Sequence, residues 1–65
     1  MNGQKIRKIR KAFGMTQEEF AAKIGVSFVT LNRWENHHNT PSSLAIHQLE
    51  RLEIESKQRL VNAGV

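Results

Sequence analysis

The 65-residue chain has no cysteine, no aspartate and no tyrosine, and only one proline. Without thiols, disulfides and thiolate zinc sites are excluded. So short a chain must then rely on close helix packing or on a partner for stability. His37 and His38 are adjacent and His47 lies ten residues beyond the first, with no Asp or Cys to support them, so no metal site and no cofactor is expected. A catalytic centre is equally unsupported. Glu18 and Glu19 are adjacent carboxylates on a surface segment, and no glycine-rich phosphate loop is present. The chain is therefore not expected to be an enzyme, and no small-molecule ligand is evident. No apolar run reaches the length of a membrane span, and no signal-peptide core follows the basic start. A cytoplasmic protein is the expectation.

What the chain does have is positive charge, unevenly placed. The net charge is +4, and all of it falls in residues 1–41, which hold seven Lys/Arg against three Glu. Lys5, Arg7, Lys8, Arg10 and Lys11 crowd the first eleven positions. Such a distribution suggests one basic face and a polyanionic partner. Lys5, Lys8 and Lys11 are expected to supply a general field rather than individual contacts.

No segment alternates with period two, so the chain is predicted to be all-α. Gly14, Gly25, the polar run His37-His38-Asn39-Thr40 and Gly64 divide it into stretches of helical length. Ile6, Ile9 and Phe13 form one apolar stripe in the first. Thr16 followed by Glu19 is a capping box, with Met15 and Phe20 at the spacing of a hydrophobic staple, so helix two starts at Thr16. Phe20, Ala21 and Ile24 form its inward face. Gly25-Val26-Ser27 is a three-residue turn, and Ser27 caps a third helix from Phe28 to about Asn36. Thr40-Pro41 is predicted to open a fourth helix, Thr40 as cap and Pro41 at the first helical position. Ala45, Leu49 and Leu52 point inward there. Ile54 is then out of step, and only Leu60 and Val61 continue the stripe. Nothing between Ser42 and Ala63 breaks a helix, which leaves open whether one helix or two follow. The expected architecture is a compact bundle of four to five short helices in a single domain spanning 1–65. Its core is 4–52, and 53–65 is a C-terminal helix or the start of a linker.

Two short helices joined by a three-residue turn beginning with Gly match the helix-turn-helix unit. Within the third helix, Leu31 and Trp34 share an inward side, so Phe28, Val29, Asn32 and Arg33 form an outward stripe. Nothing in a core requires Phe28 and Val29 there. Base edges supply a reason, because Arg pairs bidentately with guanine and apolar side chains contact the thymine methyl. The duller alternative folds Phe28 and Val29 back as core edge.

The stretch "IRKIRKAFGMTQEEFAAKIGVSFVTLNRWENHHNTPS" resembles the phage repressor/Cro-type (XRE) helix-turn-helix DNA-binding family. The matching elements are Gly14 before Thr16–Ala21, then Gly25-Val26-Ser27, Arg33-Trp34-Glu35-Asn36 and Pro41-Ser42. The resemblance covers residues 5 to about 52. It implies a lambda-repressor-like bundle of about five helices that places helix three in the DNA major groove. It implies that Gln17, Ser27, Asn36 and Ser43 meet DNA phosphates, and that Phe28, Val29, Asn32 and Arg33 read bases. It also implies a structural ion pair between Arg10 and Glu35, which removes Arg10 from the DNA contacts. A palindromic operator bound by a homodimer, and a role in transcription regulation, complete what the likeness implies. Two departures stand out. The family often has glycine where His37 stands, so a different exit from helix three is expected. Where the family often has a basic residue, this chain reads His38, Asn39, Thr40, Ser42 and Ser43, leaving backbone contact to hydroxyls, amides and helix-four N–H groups. An alternative of another class is a protein-interaction or DNA-targeting module of a larger protein or toxin–antitoxin system, with Phe28 and Val29 as its contact patch.

Overall fold

The computed structural model describes residues 1–63. It contains α1 (Gly3–Ala12), α2 (Gln17–Ile24), α3 (Phe28–Glu35) and α4 (Ser43–Ala63), and no strand among the described residues. Each helix starts where a short polar side chain takes up a backbone N–H that the first turn leaves unpaired. Asn2 Oδ1 accepts from the Lys5 amide at 2.8 Å. Thr16 accepts from Glu19 N at 3.2 Å while the Glu19 carboxylate accepts from Thr16 N at 2.9 Å, completing the capping box. Ser27 Oγ accepts from Thr30 N at 3.1 Å.

Ser42 performs this task for α4, accepting from the Ala45 amide at 3.2 Å. That corrects the expectation that Thr40 caps the helix with Pro41 at its first position. Pro41 is buried ahead of the cap, and the hydroxyl two residues after Thr40 is the one that reaches the first turn.

The first three helices also end alike. After α1, Gly14 N donates to Lys11 O and Met15 N to Arg10 O; after α2, Gly25 N donates to Ala22 O and Val26 N to Ala21 O. After α3, His37 N donates to Trp34 O at 3.2 Å and His38 N to Arg33 O at 2.9 Å. This is the Schellman pattern three times, and it needs a left-handed residue each time. Gly14 (φ 66°) and Gly25 (φ 75°) supply it without strain, but at the third site it is His37, at φ 64°. The expected different exit from α3 is therefore not found. The histidine adopts the conformation a glycine would favour, because the two backbone bonds it closes offset the steric cost.

The segment left open between one helix and two is the single helix α4, so the described residues form a bundle of four helices. With no Gly or Pro in its interior, the slipped apolar stripe changes which face is covered but does not break the backbone. Ile54 is accordingly exposed, while Ser56 is buried with its hydroxyl donating to Glu53 O at 2.7 Å. The side chains of Leu60 and Val61, and Gly64 itself, lie outside the described residues.

Ile6, Ile9, Phe20, Ala21, Ile24, Leu31, Trp34 and Leu49 make the core, with Phe13, Met15, Val26, Ala45 and Leu52 packed at its edge. α1 packs on both α3 and α4, and α2 packs on α3. Gly3, the first residue of α1, lies tight against α3. A Cβ there would sit 2.4 Å from Trp34 O and 2.8 Å from Glu35 O. The N-terminal end of α1 thus meets the carbonyl end of α3, an arrangement favoured by their opposed partial charges. Only glycine permits it.

Candidate nucleic-acid interface

A buried carboxylate organises the region where the first three helices meet. Glu35, at the last turn of α3, is 1% exposed. Its Oε2 accepts from Arg10 Nε at 2.8 Å and its Oε1 from Arg10 Nη2 at 3.0 Å, a bidentate pair. Arg10 Nη1 continues to Met15 O at 3.0 Å, which ties the loop before α2 into the same cluster. Arg7 Nε lies 3.5 Å from Glu35 Oε1 with its side chain half exposed. Burial pushes the Glu35 pKa up, but hydrogen bonds from Arg10 and Gln17, the Arg10 charge and the Arg7 bond outweigh it, so the carboxyl sits below its ordinary value. The Arg10–Glu35 pair implied by the resemblance is present, and it is structural.

Gln17, the first residue of α2, faces two ways. Its Nε2 donates to Glu35 Oε1 at 3.1 Å, and its Oε1 accepts from Asn32 Nδ2 at 3.2 Å. The amide is half-buried and keeps one Nε2–H unassigned. The exposed Glu18 next to it and Glu19 in the cap suit the positive end of α2, yet they lessen its attraction for an anion.

The outward stripe of α3 is as its spacing predicts. Phe28 is 45% and Val29 55% exposed, and Arg33 is exposed with no ion pair among the described residues. Asn32 is the exception. It is half-buried and its amide is already bonded to Gln17, a contact that spacing within α3 does not disclose. Leu31, Trp34 and Glu35 occupy the buried side of the same helix. Ser27, exposed before the helix, donates its hydroxyl to Thr30 Oγ1 at 2.9 Å while capping. Asn36, at the other end, donates from Nδ2 to Asn32 O at 2.8 Å. Ser43 is exposed on the first turn of α4.

Several basic residues serve the fold rather than a field. Lys5 Nζ reaches Glu53 Oε2 at 3.2 Å and joins α1 to α4. Lys23 Nζ and Arg59 Cζ each lie 5.2 Å from the Phe13 ring centroid, a pair of cation–π contacts that no helical spacing announces. Lys8, Lys11 and Arg33 remain as exposed cations of the N-terminal two-thirds without an ion pair among the described residues. Two apolar residues of α4, Leu44 at 81% and Ile54 at 59%, are exposed. Leu44 sits one residue outside the inward stripe that begins at Ala45.

Among the described residues, no helix is long and apolar enough to cross a membrane, and no group of three or more His, Cys, Asp or Glu is placed to hold a metal.

Comparison with known proteins bears on the same elements. A family model described as helix-turn-helix matches residues 6–52, most of the chain. The propionyl-CoA carboxylase regulator of Cereibacter sphaeroides is 39% identical over 44 residues, covering 68% of this chain and 10% of that protein. An uncharacterized HTH-type transcriptional regulator of Methanothermobacter thermautotrophicus is 39% identical over 46 residues, covering 71% of this chain and 67% of that protein. The chain thus spans only a tenth of the length of the first relative. No solved structure gives a significant match.

Proposed function

This chain belongs to the helix-turn-helix family, whose model spans residues 6–52, and on that premise we propose that it reads double-stranded DNA with α3 in the major groove, as the DNA-binding part of a transcriptional regulator. One observation carries the reading. A single two-turn helix buries Leu31, Trp34 and Glu35 while it leaves Phe28, Val29 and Arg33 to solvent. Two large apolar groups and a cation with no ion pair among the described residues, on one helical stripe, suit thymine methyls and a guanine edge. Phe28, Val29, Asn32 and Arg33 are the proposed base readers. Gln17, Ser27, Asn36 and Ser43, near helix ends, are the proposed phosphate contacts that set register. No catalytic step is assigned to the chain, and its place of action is the cytoplasm, at the nucleoid or in a phage-infected cell.

Eight residues of α3 make a helix about 12 Å long. It spans only about four base pairs at about 3.4 Å each. That is too little sequence to define one genomic site, so a homodimer on a palindromic operator is part of the proposal, its two α3 helices about 34–36 Å apart. A binding-site selection from random duplexes tests all of this together. The expected result is a palindromic motif with a guanine whose preference weakens in Arg33→Ala, at a cost of about 1–3 kcal/mol. Affinity should also fall steeply with added salt as counterions are released. Salt-insensitive binding, or an Arg33→Ala motif identical to that of the wild type, rejects the reading and favours a protein-contact module.

A further inference from the structure

We propose that Glu35, acting through Gln17, fixes which end of the Asn32 carboxamide faces the DNA, and thereby assigns Asn32 to adenine. This rests on the DNA-reading function above. The steps are forced by donor and acceptor chemistry. Glu35 is held ionised by the Arg10 guanidinium, which does not deprotonate, and an ionised carboxylate only accepts. Gln17 must therefore turn its NH2 toward Glu35 Oε1, 3.1 Å away. Its carbonyl then faces the other way, and the only chemistry it welcomes from Asn32 is a donor. Asn32 accordingly presents Nδ2, at 3.2 Å.

Three side chains on two helices thus carry one polarity outward from a buried charge. Once one Nδ2–H is committed to Gln17, Asn32 retains its Oδ1 acceptor and a second Nδ2–H. That pair matches the major-groove edge of adenine, accepting from N6 and donating to N7. The reversed amide would turn Oδ1 inward and leave only donors outward, which suits the O6 and N7 acceptors of guanine. Reversal would set Asn32 Oδ1 against Gln17 Oε1, two acceptors facing each other, and Gln17 cannot turn without setting its own oxygen against Glu35. Gln17 is hence a positioning residue for base choice in addition to any phosphate it meets through its remaining N–H. The Asn32 backbone is steadied as well, because its carbonyl accepts from Asn36 Nδ2 at 2.8 Å.

The test compares selected binding sites for the wild type, Asn32→Ala, Gln17→Met and the double variant, with thermal melts as a check on folding. Methionine keeps the bulk of Gln17 and removes both amide bonds. Asn32→Ala should abolish an adenine preference at one base pair. Gln17→Met should lower the adenine-over-guanine ratio at that same pair by about fivefold or more, leave other positions as they were, and add nothing further in the double variant. A general fall in affinity does not count, since a lost phosphate contact produces it too. An unchanged ratio in Gln17→Met, or a base other than adenine at the Asn32 position, overturns the inference while leaving DNA reading intact. A wild-type selection without any motif overturns both. A second measurement needs no variant. In the free protein one Asn32 side-chain N–H should exchange with water more slowly than the other, and equal fast exchange of both refutes the relay.

Discussion

Replacing Arg10 with methionine isolates what the buried charge contributes. In the wild type the guanidinium makes three hydrogen bonds of 2.8–3.0 Å, two to Glu35 and one to Met15 O. Methionine keeps much of the stem's packing but leaves a carboxylate that is 1% exposed. Its remaining partners are Gln17 and the half-exposed Arg7 at 3.5 Å. Removing one member of a buried pair costs about 3–5 kcal/mol. A domain of this length has about 3–10 kcal/mol in total, so the variant should lose a large share of its stability. Urea melts followed by circular dichroism would measure this. The double variant Arg10→Met/Glu35→Leu should recover most of the loss, because the stranded charge is what destabilises. The sign of the pH response adds a second check. The wild-type Glu35 carboxyl lies below its ordinary value of 4.5, so its contribution is complete above that value and is lost as pH falls through the lower, folded-state pKa. In Arg10→Met burial dominates and the folded-state pKa rises, so protonation relieves the variant. The stability gap between the two proteins should narrow from pH 7 downward. A loss under about 1 kcal/mol, as for a surface pair, or a double variant no better than the single, would refute the reasoning.

Gly3→Ala forces a methyl to within 2.4 Å of a main-chain oxygen of α3, and should cost about 1–3 kcal/mol by overpacking. A rise in melting temperature, as helix propensity alone would give, contradicts the packing. His37→Gly removes a left-handed non-glycine residue and should stabilise by about 0.5–1 kcal/mol after the extra chain entropy of glycine is counted. That corresponds to a shift of several degrees in a thermal melt, about 4–8 °C per kcal/mol. Phe28→Ser and Val29→Ser should each change stability by about 1 kcal/mol or less, since both side chains are about half exposed, while DNA affinity falls. A core role would instead show losses of about 2–5 kcal/mol in the same melts.

Local signals carry most of the fold. The capping box at Thr16, the left-handed glycines at 14 and 25 and the three-residue turn each act within a few residues. Their chemistry is therefore readable in linear order. The start of α4 is where this fails: Thr40-Pro41 reads as cap and first helical residue, yet Ser42 is the hydroxyl that reaches an N–H, because Pro41 is buried ahead of the helix. The exit at His37 fails for a related reason. Propensity disfavours φ 64° for histidine, but two backbone hydrogen bonds outweigh a penalty of about 1–2 kcal/mol.

By itself, the amino-acid sequence determined an all-helical bundle, the helix-turn-helix at its centre, and the outward placing of Phe28, Val29 and Arg33. Period, caps and glycines are properties of neighbours along the chain. Only the tertiary structure decided that Gly3 is indispensable, that two cations lie over the Phe13 ring, and that Gln17 is bonded to Glu35 and Asn32 rather than simply displayed. Those contacts join residues 10 to 46 positions apart, and hydrogen-bond direction between amides is set by whichever charged group the fold brings nearest. Here that group is a carboxylate at the far end of another helix.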